Sequence, residues 1–297
     1  MEPEDDTMPG AAMPPCRCYV LLARSAPVAV VLRRGPSKWV QLIAWDTAAD
    51  TFEPGQWFHG RVYERRCDLS PDGSKLIYFA SKFGRRPEEG PEYTYAWTAV
   101  SRPPYFTALA LWPKGDCWHG GGLFEDDRTV WLNHHPRAAE PHPAHRPAGL
   151  TVVPNPAAHG EDGPVLDRRR ERDGWVRTRQ GRYPFAGRGW RTERTEVWEK
   201  TNRAAGATLV AELAEIDFSR AGGPYVETFS LARHGGTTDI GEADWADWDH
   251  RGRLVVSRAG KLLEVDPRGD EPRARELADF NASRPRHVKA PAWARTW

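Results

Sequence analysis

Residues 67–80 read CDLSPDGSKLIYFA. A polar tetrad, Ser70-Pro71-Asp72-Gly73, runs directly into an apolar segment. Pro71 presets φ, the Asp72 side chain can hydrogen-bond to nearby backbone, and Gly73 accepts positive φ, so the tetrad is a turn with a mechanism. After Lys75, the residues Leu76 to Ala80 are β-branched, aromatic or apolar and too few for a helix, which makes Lys75 to Ala80 a strand. The whole stretch is a β-hairpin.

The same form recurs. In GGGLFEDDRTVWLNH (120–134), Leu123 and Phe124 precede the polar residues Glu125 to Arg128, and Thr129 to Leu132 follow. In ADWADWDHRGRLVVSRAGKLLEVD (243–266), Trp245 and Trp248 precede the turn residues Asp249 to Gly252, and Arg253 to Ser257 follow. Arg258-Ala259-Gly260 then turns the chain into Lys261 to Val265. Further extended runs cover 16–24, 28–34, 38–46, 92–100, 105–112, 175–180, 190–199, 207–213 and 224–232. About twenty strands are expected in all, with one short helix over 273–280. Short strands at a spacing of about a dozen residues with a recurring turn imply a repeat architecture. Four-stranded antiparallel blades around an axis fit best, so the expected fold class is all-β, a β-propeller of five blades, with six as the alternative.

SPDGSKLIYFA resembles the repeat of TolB-like and WD-type propellers, which carry an S-P-D-G-x-x-[LI] turn between inner strands. DWDHRGRLVVSRAGKLLEVD is similar to the same pattern with the proline lost, and GLFEDDRTVWLNH is a weaker copy. The resemblance spans about sixty of the 297 residues. It implies a fold and no activity. The regular Gly-His and Trp-Asp spacing of WD repeats is missing.

Composition narrows the function classes. With 42 basic and 41 acidic side chains the formal net charge is +1, so no global field recruits nucleic acid or an anionic membrane. The chain is tryptophan-rich: 14 Trp, 10 Phe and 8 Tyr supply core volume, while 27 Gly and 26 Pro fit many turns. Residues 1–15 are acidic and proline-bearing and read as a disordered leader before a single domain over 16–297. The leader lacks the basic start and apolar run of a secretion signal, and no stretch has the length of a membrane span. The four cysteines (Cys16, Cys18, Cys67, Cys117) form no paired framework and read as reduced thiols of a cytoplasmic protein.

Several segments invite chemistry. His134, His135, His142 and His145, with Glu140 among them, could bind a divalent metal such as zinc. The spacing matches no zinc signature, and four prolines make the segment an extended surface connection, so no cofactor is the preferred expectation. In EADWADWDH (242–250), Asp244, Asp247 and Asp249 could hold calcium or magnesium. The alternative gives Asp249 to the turn and the tryptophans to packing. Residues 167–194 interleave arginines with Trp175, Tyr183, Phe185 and Trp190, a pattern that suits single-stranded nucleic acid. Intervening acids and the balanced total charge favour a solvated face instead. Gly120 to Gly122 read as a close approach of a strand to a crowded axis, with Asp116, Cys117 and His119 just before it as a candidate catalytic turn. His59, Tyr63, Arg65 and Arg66 form either a polar site or an ordinary edge strand.

Two functions follow. The first is a non-catalytic, monomeric binding or scaffold module for a protein or peptide partner, with Trp97, Arg102, Tyr105, Phe106 and His119 as candidate binding residues. The second is a metal-assisted hydrolase or lyase using the His cluster.

Overall fold

A computed structural model describes residues 15–35, 38–83, 93–187, 189–220, 223–267 and 273–297. The expected leader falls, up to residue 14, outside these. The fold is all-β with one α-helix. Among the described residues the strands form five sheets, which follow one another along the chain.

Sheet A contains β1 (Arg17–Leu22), β2 (Val28–Arg34), β3 (Trp39–Asp46) and β4 (Thr51–His59), joined as a meander. Sheet B contains β5 (Arg61–Val62), β6 (Asp68–Leu69), β7 (Leu76–Ser81), β8 (Ala96–Ser101) and β9 (Ala110–Pro113); β5 and β6 both pair with β7. Sheet C contains β10 (Gly122–Phe124), β11 (Thr129–Leu132) and β12 (Thr151–Pro154), the last pairing parallel with β11. The helix α1 (Gly163–Arg172) follows. Sheet D contains β13 (Val176–Arg179), β14 (Glu196–Asn202), β15 (Ala207–Ile216), β16 (Tyr225–Arg233) and β17 (Gly236–Glu242). Sheet E contains β18 (Trp245–Trp248), β19 (Leu254–Arg258), β20 (Lys261–Asp266) and β21 (Arg273–Asp279).

The unbroken apolar runs have a simple cause. Successive strand residues point to opposite faces, so a continuous apolar strand needs cover on both. In β7, Leu76, Tyr78 and Ala80 pack with Leu21, Val30 and Leu32 of sheet A, while Ile77 packs with Phe124, Val130 and Leu132 of sheet C. Sheet A is likewise shared: Val20, Ala29 and Val31 meet Trp245, Val255 and Leu262 of sheet E. On its other side sheet E gives Ala246, Trp248, Leu254 and Val256 to Trp198, Leu209 and Phe229 of sheet D. Sheet C turns Leu123 and Trp131 towards Val165 of α1, and α1 also contacts β13. Neighbours in space are thus A–B, B–C, C–α1–D, D–E and E–A.

Two expectations are corrected. The helix expected over 273–280 is strand β21, paired with β20. The helix lies instead in the arginine-rich segment, where Pro stands in the first turn and Gly174, with φ 87°, follows the C-terminal end. These are ordinary start and stop signals. Sheet size also departs from a uniform four strands, since sheet C has three and sheet D five.

Candidate functional site

The hairpin turns converge at one end of the fold. In the opening stretch, Gly73 N–H donates to Ser70 O at 2.9 Å, Ser74 N–H to Asp72 Oδ1 at 2.8 Å, and Gly73 has φ 74°. The turn at 249–252 repeats this: Gly252 N–H donates to Asp249 O at 2.9 Å, with φ 72°. The turns then bond to one another. Ser25 N–H donates to Pro71 O at 2.9 Å, and Asp72 N–H to Asp127 Oδ1 at 2.9 Å. The Arg24 guanidinium reaches Phe124 O and Glu125 O, each at 2.8 Å. His250 bonds through Nε2 to Ala23 O at 2.6 Å and through Nδ1 to Thr47 Oγ1 at 2.9 Å.

Against these turns lies a pocket of about 480 Å³. Tyr19 to Arg24, Asp68, Glu227 and Trp245 to His250 line it from sheets A, B, D and E, Lys200 adds a cation, and α1 with its C-terminal flank supplies Arg169, Arg170, Arg172, Asp173 and Trp175. Each of the five lining carboxylates has a cationic partner. Arg172 grips Asp68 with two bonds of 2.6 and 2.9 Å and also holds Asp173 at 2.8 Å. Burial would lower the Arg172 basicity, but Asp68 and Asp173 raise it above its ordinary value. Glu227 is bonded by Arg65 at 3.0 Å and by Arg170. Burial pushes the Glu227 carboxyl up, but the two guanidinium charges outweigh it and hold the pKa below the usual range. Lys200 Nζ lies 2.7 Å from Asp247, whose other oxygen accepts from Trp175 Nε1 at 3.3 Å. Asp249 accepts from Arg251 N–H and Arg253 N–H, both at 2.9 Å, and pairs with the Arg253 side chain. Arg169 bonds to Cys67 O and Tyr19 Oη.

At the N-terminal end of α1, Arg66 is almost wholly buried. It bonds Asp162 at 2.5 Å, Cys117 O at 2.6 Å and His119 O at 3.1 Å. Asp162 also accepts from Tyr225 Oη at 2.6 Å. The glycine run makes this approach possible: a Cβ on Gly121 would lie 2.2 Å from Arg66 O, and one on Gly120 would lie 2.3 Å from the Phe79 ring.

The residues singled out from the sequence are scattered. Trp97 and Phe106 line a second, smaller cavity between sheets A and B. Tyr105 is buried with Ala290 and Ala294, edge-on to Trp293, and Arg102 Nε donates to Thr296 O at 3.1 Å, so both fasten the C-terminal segment. His119 accepts from the buried Arg66 through its carbonyl, and burial, with the Lys114 charge, lowers the pKa of its side chain. His134 is fully buried, with Nε2 2.8 Å from Thr98 Oγ1 and Nδ1 3.0 Å from Ala138 O. Burial pulls its pKa down to about 4. His135 is exposed and caps a 3-10 turn through Arg137 N–H. His142 stacks on Tyr93 at 4.0 Å, and His145 Nε2 lies 3.1 Å from Tyr93 Oη. Among the described residues, no group of three or more His, Cys, Asp or Glu is placed to hold a metal ion. The three aspartates of 242–250 are likewise separated onto Arg17, Lys200 and Arg253. Among the described residues no helix is long and apolar enough to cross a membrane.

The sequence points to Arg65 and Arg66 but not to Arg169, Arg170 and Arg172 as pocket residues, because a solvated face is the favoured reading of 167–194. The signal is present: GPVL before the arginines and Asp173-Gly174 after them mark a helix, which gathers three arginines within about one turn. No protein-family model matches the chain, and no curated protein matches it either.

Proposed function

We propose that the chain is a five-bladed β-propeller that serves as a non-catalytic binding module, receiving a peptide segment of a protein partner in the 480 Å³ pocket. The cyclic order of neighbouring sheets supports the architecture, with α1 completing the circle between sheets C and D. The observation that carries the binding role is the pairing of every lining carboxylate with a cation. Such charges form a fixed pattern of donors and acceptors, and the ordering they need is complete before a ligand arrives. The volume falls in the ordinary range for a ligand pocket, roughly 300–1,000 Å³. Trp175, Trp245 and Trp248 lie beside the charges, a combination suited to anchoring a short peptide.

The test is selection of linear peptides displayed on phage against the intact chain. Selected peptides should lose at least about tenfold in affinity, roughly 1.4 kcal/mol, in Lys200→Met and in Asp247→Asn variants that melt like the parent. Undiminished binding to both variants, or no enrichment at all, would sink the reading.

A further inference from the structure

The second cavity, about 170 Å³, lies between sheets A and B and is lined by Phe58, Tyr78, Tyr93, Trp97 and Phe106 together with three small or apolar uncharged residues. We propose that it is an aromatic cage for a methylated ammonium group, the chemistry carried by trimethyllysine and by choline compounds.

Three observations combine. The rings stand as walls rather than as a stack: Phe58 meets Trp97 at 89° with centroids 5.8 Å apart, and Tyr78 meets Phe106 at 78° and 5.4 Å. The cavity is thus bordered by five aromatic rings set at steep angles to one another, and a ring face attracts a cation. The walls are also fixed. Tyr78 Oη donates to Phe106 O at 2.6 Å, Phe106 N–H donates to Gln56 Oε1 at 2.8 Å, and Gln56 Nε2 donates to Val288 O at 3.0 Å. Tyr93 is held by its stacking on His142. Finally, the lining contains no charged side chain. A primary ammonium would surrender its hydration for few acceptors. A quaternary one has no N–H to satisfy and is attracted by the rings alone. This site is separate from the peptide pocket, so either reading can fail without the other.

The experiment uses the unaltered full chain and reads Trp fluorescence and titration calorimetry. The probes are choline and its neutral isostere 3,3-dimethylbutan-1-ol. Choline should bind at least about tenfold tighter than the isostere, because shape and apolar area are shared and only the charge differs. Equal or tighter binding of the isostere would make the cavity a plain apolar socket and overturn the proposal; so would failure of choline to bind at millimolar concentration. Phe106→Leu, which keeps apolar bulk and removes a wall, should weaken choline at least about fivefold while leaving the isostere within about twofold. A second arm compares choline with a trimethyllysine peptide. Tighter peptide binding assigns the group to a modified protein, and tighter choline binding assigns it to a small molecule or headgroup.

Discussion

The inner strands of sheets A, B and E are buried on both faces, whereas the long strand β15 of sheet D buries one face and leaves the other half-exposed. The contrast is written in the strands themselves. In β7 all six residues are buried, while β15 alternates, with Ala207, Leu209, Ala211 and Leu213 buried and Thr208, Val210 and Glu212 half-buried. Where sheets are stacked face to face, hydrophobic burial fixes their spacing. Between sheets C and D the adjoining body is α1, where Val165 packs on sheet C while Arg170 and Arg172 pair with carboxylates of sheets D and B. Sheets that meet face to face are held by packing, whereas the contacts of α1 beside the first pocket rely on ion pairs as well. Packing tolerates little rearrangement. Paired charges in a cleft leave oriented polar groups that a ligand can use.

The strongest challenge to this division is removal of Glu227. It is buried and shared by Arg65 and Arg170. Glu227→Ala strands two guanidiniums without their counter-charge, and breaking a buried pair in this way costs about 3–5 kcal/mol. Urea denaturation should show that loss, and Glu227→Gln should recover only part of it. A loss below about 1 kcal/mol would mean that the network is solvated and that packing alone holds α1 in place.

The packed contacts are tested by comparing adjacent strand positions. Ile77→Ala and Leu76→Ala face opposite neighbours, yet both are fully buried, so each should cost about 2–5 kcal/mol. In β15, Leu209→Ala should cost a similar amount, while Val210→Ala on the half-exposed face should cost under about 1 kcal/mol. Equal costs at Leu209 and Val210, measured by denaturant midpoints, would erase the distinction between the two faces of sheet D.

The same division explains what could be read in advance. VAVVL, LIYFA and LVVS announce strands because continuous apolar runs this short have few other outcomes, and the turns at Asp72-Gly73 and Arg251-Gly252 follow from residue chemistry. The helix was lost because it has little apolar face: only Val165, Leu166 and Arg169 are buried, and one of these is charged. Chain periodicity cannot reveal a helix stabilised by partners elsewhere in the sequence. For the same reason the pocket was invisible, since Arg172 and Asp68, or Lys200 and Asp247, become neighbours only when distant segments fold together. Trp97 and Phe106, candidate binding residues on sequence grounds, line the cavity between sheets A and B. Tyr105 is spent on packing with the C-terminal segment, and the same aromatic character suits either place.

Acid should separate the two kinds of contact by sign. His134, between sheets B and C, has a folded pKa of about 4, below the ordinary value of about 6.5. The unfolded chain therefore takes up this proton first, and the His134 contribution to stability is complete above pH 6.5 and lost as pH falls towards 4. Asp167 on α1 behaves oppositely. Burial raises its pKa to about 6; Glu196 and Glu171 add to the rise, and Arg177 opposes it. The folded state binds this proton first, so protonation of Asp167 stabilises the fold as pH falls from 6 towards 4 and the benefit is absent at pH 7. Partial exposure of Asp167 makes its effect the smaller one. In urea titrations from pH 7 to 4, His134→Gln should flatten the loss of stability in acid, and Asp167→Asn should steepen it. Asp167→Asn should also be more stable than the parent at pH 7, because the cost of a confined carboxylate is gone. Should both variants change the slope in the same direction, the distinction between packed and ion-paired contacts would not survive, because the two groups would then share one electrostatic environment.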